Sequence, residues 1–228
     1  MKTMKKKILL QITFILSGIV TYSQTNSIYP DFTKHSLNKV IKDENWKILI
    51  KAEGSLNKNK QKDVVLVLES KDSLIEQRIG ERARKNLPRI LVVFLDDKII
   101  VQNNTFIARG DEGGMLLNLK PEISIDKNEL TIYYQYTRGN QSYTFNMVKN
   151  NLCLIKAQSH DVHSSSGDTE GMFYDFKKKS LTITKGNISS ASEKDEKEIY
   201  TIELKNGLKK LSEFTEMYKW EVLKGRYL

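Results

Sequence analysis

Short apolar runs separated by turn residues recur at an even spacing between residues 122 and 184. The runs are rich in Tyr, Thr, Ile and Phe, which favour strands, and the turns contain Asn, Gly, Asp or Lys. We predict strands at 122–125, 129–137, 142–148, 152–159, 171–176 and 181–184. Strands joined by short turns pair antiparallel, so this spacing predicts an antiparallel meander that forms a curled sheet, a sandwich or a barrel.

A second constraint is the run Asp63–Glu69, in which five consecutive apolar residues replace the usual alternation. A strand that is apolar on both faces is buried on both faces, so we predict a central strand here. A strand over 46–52 precedes it, and strands over 90–95 and 99–104 follow as a hairpin. The fold class is therefore mainly β, with a small helical part (α+β).

Helical periodicity is confined to the start of the predicted domain. Leu37, Val40 and Ile41 fall on one face of a short helix, and Asp31 or Thr33 is the candidate N-cap.

The remaining segments differ in their content of charged and apolar residues. Residues 71–87 are charged and predict an exposed loop or a marginal helix, whereas 189–198 predict a solvated loop. Apolar residues return over 199–228, so we expect this C-terminal segment to dock on the core. We interpret 31–228 as one β-rich domain after a flexible start at 24–30.

The N-terminus has the order of charges and apolar residues that is typical of a secretory signal peptide. Basic residues in 1–7 precede an apolar run over 8–20, and the small residues Thr21 and Ser23 precede Gln24. We predict cleavage after Ser23 and a location in the periplasm or outside the cell. A retained membrane anchor is the alternative, but a span needs about 20 apolar residues and polar residues interrupt this run.

The net charge indicates which classes of binding partner the mature chain would attract electrostatically. The full chain has 37 Lys and Arg against 28 Asp and Glu, a net charge of +9, and four of the lysines lie in the signal peptide. The mature chain would have 33 basic and 28 acidic residues, and these alternate rather than cluster. We therefore predict no nucleic-acid binding and no membrane span after cleavage.

Residues 54–67 resemble the loop and strand of FG-GAP and VCBS-type repeats, whose pattern is Gly-Asp-Leu-Asn-x-Asp-Gly-x-x-Asp before an apolar strand. In that family, side-chain oxygens at alternate positions bind calcium. The resemblance places Ser55, Asn57, Asn59 and Asp63 at ligand positions. Two acids of the pattern are replaced and Lys60 stands in place of a glycine, so we expect a degenerate structural turn without a cofactor. Calcium binding is the alternative.

A broader resemblance covers residues 46–180. This part is similar to small exported bacterial proteins that have one such loop, then Pro88–Phe94, then the Asp111–Met115 segment before a β meander. The resemblance implies no activity.

Two groups of residues are candidates for ligand binding. The loop of Asp111, Glu112, Gly113 and Gly114 joins carboxylates to unrestricted backbone and suits a ligand, although a wide turn would have the same composition. Tyr134 and Tyr136 share one face of a predicted strand. If that face is exposed, it can stack on sugars or contact a protein, and the alternative is core packing.

A metal site is a further hypothesis. His160 and His163, with Asp168 and Glu170 nearby, are suitable ligands for zinc or another transition metal. Residues three apart on a strand face opposite sides, however, so only a local turn would bring both imidazoles together. Cys153, the single cysteine, lies in an apolar run and predicts a core thiol.

These features favour a non-catalytic exported binding module for a protein or glycan partner. The alternative is a metal-dependent hydrolase that uses Asp111, Glu112, His160 and His163. The sequence contains no glycine-rich phosphate loop, nucleophile elbow or paired cysteine metal motif, which favours the first hypothesis.

Export is testable by the mass of the recovered protein. Expressed from its full gene in a Gram-negative host, the chain is expected in the periplasmic fraction with Gln24 as its first residue. Ile12→Lys places a charge in the apolar run, so it should block processing. Recovery of wild-type protein with residues 1–23 still attached would contradict the prediction.

Overall fold

Strands make up most of the chain in the computed structural model, which describes residues 28–57, 59, 61–78, 80–113, 116, 118–189 and 196–228. The predicted signal peptide, most of the predicted flexible start and Gly114 lie outside the described residues. The elements are α1 (Leu37–Ile41), β1 (Trp46–Gly54), β2 (Asp63–Ser70), β3 (Leu74–Glu76), β4 (Arg84–Asn86), β5 (Arg89–Leu95), β6 (Lys98–Asn103), β7 (Glu122–Asp126), β8 (Glu129–Tyr136), β9 (Gly139–Val148), β10 (Asn151–Val162), β11 (Asp168–Asp175), β12 (Ser180–Asn187), β13 (Glu196–Thr201), β14 (Glu221–Leu223) and β15 (Arg226–Tyr227). Short 3-10 turns lie at Gly110–Gly113 and Leu211–Glu213.

The first sheet has the strand order β1-β2-β5-β6. Every residue of β2 is buried, which confirms the prediction of a central strand. Val65 and Val67 face the main core, whereas Leu66 and Leu68 face a second cluster that is covered by the segment around α1. The consecutive apolar residues of β2 are thus explained by two packed faces.

The second sheet is a seven-stranded meander in which β7 to β13 lie side by side in chain order. Its hairpins β7-β8 and β9-β10 turn through residue pairs with positive φ, Lys127-Asn128 and Lys149-Asn150. Two successive positive φ angles match the twist of antiparallel strands, which is why these two-residue turns close the hairpins. The prediction of a mainly β, antiparallel meander is confirmed.

The two sheets face each other across the main core, so the fold is a sandwich. Phe106 lies at the centre, and its ring packs within 6 Å of the rings of Tyr143, Phe145 and Phe214. The edges β1 and β7 meet where Gly54 lies against Ile125. A Cβ at Gly54 would come within 2.6 Å of the Ile125 side chain, so this close approach requires glycine.

The C-terminal segment docks on this core, as the sequence predicts. Leu211, Phe214 and Leu228 are buried, and the backbone of Leu228 pairs with that of Trp220. In the described part of the chain, no helix is both long enough and apolar enough to cross a membrane.

Three local predictions differ from the structure. The charged segment 71–87 contains the hairpin of β3 and β4 instead of a helix or an exposed loop. Residues 196–198, predicted as loop, begin β13, and 190–195 lie outside the described residues. The N-cap of α1 is Ser36, because Asp31 instead accepts hydrogen bonds from Thr33 in a local turn that ends before the helix.

Removal of the central ring tests the core. Phe106→Ala is expected to lower the free energy of unfolding by about 3–5 kcal/mol, because it leaves a cavity among three other aromatic rings. Phe173→Ala, on the outer face of β11 where the ring is 41% exposed, should cost less than about 1 kcal/mol. Urea unfolding measures both, and equal losses would contradict the assigned core.

Candidate functional site

A buried ion pair, Arg89 with Glu69, joins the first sheet to the loop after it. The two residues are direct partners across β2 and β5, and the Arg89 Nη2 to Glu69 Oε2 distance is 2.8 Å. Arg89 is fully buried, so its remaining donors also need acceptors. Arg89 Nη1 donates to the carbonyls of Ala108 (2.8 Å) and Leu119 (2.5 Å). These carbonyls lie at the two ends of the 108–119 loop, so Arg89 holds both ends of it.

Arg109 organises the carboxylates of this loop and of the charged segment. Its Nη2 lies 2.6 Å from Glu81 Oε2 and 2.6 Å from Glu112 Oε1, and its backbone N–H donates to Glu112 Oε2 (2.8 Å). Arg84 reaches the same group from β4, with Nη1 2.9 Å from Asp111 Oδ2. The β3-β4 hairpin is thus attached to the loop through guanidinium groups.

Glu76 and Arg78 form the buried base of this network. Arg78 Nε donates to Glu76 Oε1 (2.9 Å), Asn86 donates to Glu76 Oε2 (2.7 Å), and the Tyr29 hydroxyl also donates to Glu76. Burial opposes ionisation of Glu76, but these hydrogen bonds and the charge of Arg78 outweigh it, so the pKa of Glu76 lies below its ordinary value.

An open cavity of about 450 Å³ lies beside the network, and we call it the tyrosine cavity. Its volume is within the range of about 300–1,000 Å³ that is usual for small-molecule sites. The residues that line it include Arg78, Arg84, Glu112, Tyr136, Asp161 and Tyr218. We call the part of the lining formed by Arg78, Arg84 and Glu112 the charged wall; the rest includes two phenol rings and the side chains of Asp161, Glu216 and Lys219.

Tyr218 is the most unusual residue of the cavity. Its backbone is left-handed, with φ of 61°, and the residue as a whole is 50% exposed. Left-handed backbone costs a residue with a Cβ roughly 1–2 kcal/mol, and a bulky side chain adopts it rarely. Burial raises the pKa of the neighbouring Tyr136, and its contact with the Tyr218 hydroxyl raises it further. Backbone strain that presents an exposed ring to a cavity is a feature of binding sites.

The predicted Asp111–Gly114 loop is divided between surface and cavity. Asp111, Glu112 and Gly113 lie in the 3-10 turn. Glu112 lines the tyrosine cavity, whereas Asp111 is half exposed and pairs with Arg84. The carboxylates of Asp111 and Glu112 both contact guanidinium groups. The sequence did not indicate these contacts.

The two predicted tyrosines share a face but have different surroundings. Their rings stack with centroids 6.2 Å apart. Tyr134 is fully buried, and its hydroxyl accepts a hydrogen bond from the Ala108 N–H (3.1 Å), so it belongs to the core. Tyr136, one step nearer the sheet end, lines the cavity.

The oxygens of the predicted calcium loop accept hydrogen bonds within the protein. Both carboxylate oxygens of Asp63 accept backbone N–H groups, from Leu56 (2.7 Å) and Asp96 (3.2 Å). The side-chain oxygens of Asn57 and Asn59 each accept an N–H two residues later. The Ser55 hydroxyl donates to the Asn57 carbonyl. These hydrogen bonds hold the loop in a turn, and whether it binds calcium stays a prediction.

The predicted histidine ligands lie apart. His163 lines a second cavity of about 670 Å³ with Asp168 and Glu170, whereas His160 lies on the other face of β10, opposite Gly171. Across the residues that the structure describes, no three His, Cys, Asp or Glu side chains are grouped so that they could hold a metal ion. Cys153 is buried, and burial raises the pKa of its thiol.

Several cavity residues were not predicted. Arg78 and Arg84 lie in the segment that was interpreted as an exposed loop or marginal helix, and Tyr218 belongs to no motif. Asp161 lies between the two histidines of the predicted metal motif, but it lines the tyrosine cavity. A weak signal existed for the arginines, because Arg78, Arg82, Arg84 and Arg89 are unusually dense around Glu76 and Glu81. Nothing in the sequence indicates the positive φ of Tyr218.

The chain matches no protein-family model, and no curated protein or solved structure is significantly similar to it.

The charge of Glu76 should make stability depend on pH. The folded-state pKa is lowered, so ionised Glu76 stabilises the fold above its unfolded pKa of about 4.3, and this contribution is lost as the pH falls through the folded value. Glu76→Gln should be about 3 kcal/mol less stable than wild type at neutral pH. The difference should shrink on acidification.

Glu122→Gln, at an exposed position of β7, is the control and should behave as wild type. Denaturant unfolding at several pH values measures the difference. A gap between wild type and Glu76→Gln that stays constant down to about pH 2, well below the ordinary pKa of glutamate, would contradict the role of the Glu76 charge.

Proposed function

We propose that this protein is exported and acts as a non-catalytic binding module that holds a protein or glycan partner at the tyrosine cavity. Export is supported by the charge and hydropathy pattern of residues 1–23. Binding is supported by one observation above all: Tyr218 presents an exposed ring at an open cavity from a backbone conformation that costs folding free energy.

The charged wall of the cavity suits recognition. Arg78, Arg84 and Glu112 hold one another through ion pairs, so each keeps a defined position without a ligand. A preorganised wall reduces the conformational entropy that is lost on binding. The paired carboxylates orient polar groups of a partner, and the tyrosine rings supply contact area.

Tyr218→Gly separates binding from folding. Glycine tolerates positive φ, so the substitution should relieve part of the backbone strain. The variant should therefore unfold at a denaturant concentration no more than slightly below that of wild type. The loss of the ring should weaken binding at least tenfold. The control is Tyr227→Ala, which removes a ring of similar exposure (48%) outside the cavity.

The measurement is a screen of the mature chain and both variants against glycan and peptide arrays, followed by titration of the ligands found. Ligands that bind wild type and Tyr227→Ala but not Tyr218→Gly support the proposal. Ligands that bind all three proteins equally would place the binding surface elsewhere. Chemical turnover of a bound ligand would contradict the non-catalytic role.

A further inference from the structure

The seven-stranded sheet has a free edge at β13. Among the described residues, β13 is the last strand of the sheet and pairs with β12 on one side only. All of its residues except Glu198 are exposed. A free edge presents unpaired N–H and C=O groups, which can pair with the strand of another chain.

The register with β12 shows which backbone groups of β13 point outward. Just beyond the strand, the Ile202 N–H donates to the Lys179 carbonyl (2.8 Å), so these two residues form a hydrogen-bonded pair. Hydrogen-bonded and non-hydrogen-bonded pairs alternate along an antiparallel ladder, and the β12-β13 register is continuous. Every second residue therefore directs its N–H and C=O away from the sheet. These residues are Lys197, Ile199 and Thr201.

An apolar row on the outer face of the sheet ends at this edge. Ile199 is 76% exposed, more than any other large apolar residue that the structure describes. It lies opposite Thr182 of β12, which in turn lies opposite Phe173 of β11, a residue that is 41% exposed. Directly opposed side chains have Cβ atoms about 5 Å apart, so the three are in one row. The row stops at Ile199, with nothing beside it on the free side.

The charges of β13 select the way in which a second copy can pair with it. Two identical edges pair antiparallel around a two-fold axis, and the residue at the axis faces itself. An axis at Lys197 would oppose two lysines, and an axis at Glu198 would oppose two glutamates. Like charges directly opposite each other are destabilising, so both registers are disfavoured.

An axis at Ile199 opposes no like charges. Ile199 then faces Ile199 of the second copy, and the outward residue Lys197 faces the outward residue Thr201. On the inner face Glu198 lies opposite Tyr200, and within one chain the Tyr200 hydroxyl already donates to Glu198. An axis further along β13 would leave fewer residues paired, because the strand ends at Thr201.

This register satisfies both exposed features of the edge. The outward N–H and C=O groups of Ile199 exchange hydrogen bonds with those of its counterpart, as in any narrow antiparallel pair. The apolar row of one copy meets the same row of the other, so the two Ile199 side chains cover each other.

We propose that two copies of this chain associate through β13, antiparallel around Ile199, so that their seven-stranded sheets become one continuous sheet. The strand is six residues long, so the contact is small and the dimer should depend on protein concentration. The inference goes beyond the proposed binding function and does not depend on it.

Sedimentation equilibrium of the mature chain tests the association between about 1 μM and about 1 mM, which spans weak to moderate affinities. We expect a reversible dimer. Ile199→Lys opposes two ammonium groups at the axis and should weaken the dimer at least tenfold, with an unchanged melting temperature because the side chain is exposed. Ile188→Lys is the matched control, since Ile188 is 66% exposed and lies outside β13. It should dimerise as wild type does.

Disulfide trapping tests the register itself. In Ile199→Cys, the two new thiols face each other with Cα atoms about 5.5 Å apart, a separation that a disulfide can bridge. With oxidised glutathione, two thiols become one disulfide and two molecules of reduced glutathione form. The covalent dimer should accumulate at least tenfold faster than in Ile188→Cys, as measured by non-reducing electrophoresis. Cys153 is buried and is present in both variants.

Three results would overturn the inference. A wild-type chain that stays monomeric over the whole concentration range excludes the dimer. A dimer that Ile199→Lys does not weaken uses another surface. If Ile199→Lys does not fold, the cysteine variants decide, and equal trapping rates at positions 199 and 188 exclude the register.

Discussion

A fully buried guanidinium needs an acceptor for nearly every donor, and this requirement at Arg89 determines how the sandwich is assembled around the cavity. Glu69 supplies the countercharge from the neighbouring strand, and the Ala108 and Leu119 carbonyls supply acceptors from the loop. Loss of any partner would leave an unsatisfied charge in the interior, which is far more costly than a lost surface contact. The loop and the central strands therefore keep one relative position.

The charged wall depends on that position. Once the 108–119 loop is held, Arg109 and Glu112 of the loop meet Glu76 and Arg78 of the β3-β4 hairpin. Ion pairs thus join the residues of the charged wall, and elsewhere in the lining Tyr218 presents its ring from left-handed backbone. Both features support the proposed binding function.

Much of the fold could be predicted from local sequence, but only part of the site. The meander and the central strand followed from periodicity, because turn residues and apolar runs act within a few residues of one another. Glu112 and Tyr136 were predicted and do line the cavity. Arg78 was missed because a charged segment is normally exposed, and its burial depends on Glu76 and Glu112, which meet it only after folding.

The sequence by itself determined the strand-rich class, the antiparallel meander and the order of hairpins, since these depend on alternation and turn chemistry along the chain. Only the tertiary structure decided which charged side chains are buried and which of Tyr134 and Tyr136 lines the cavity. The physical reason is that burial and hydrogen-bond pairing are properties of contacts between distant segments. Spacing along one strand assigns a residue to a face, but the opposing sheet and loops decide whether that face is core, cavity or solvent.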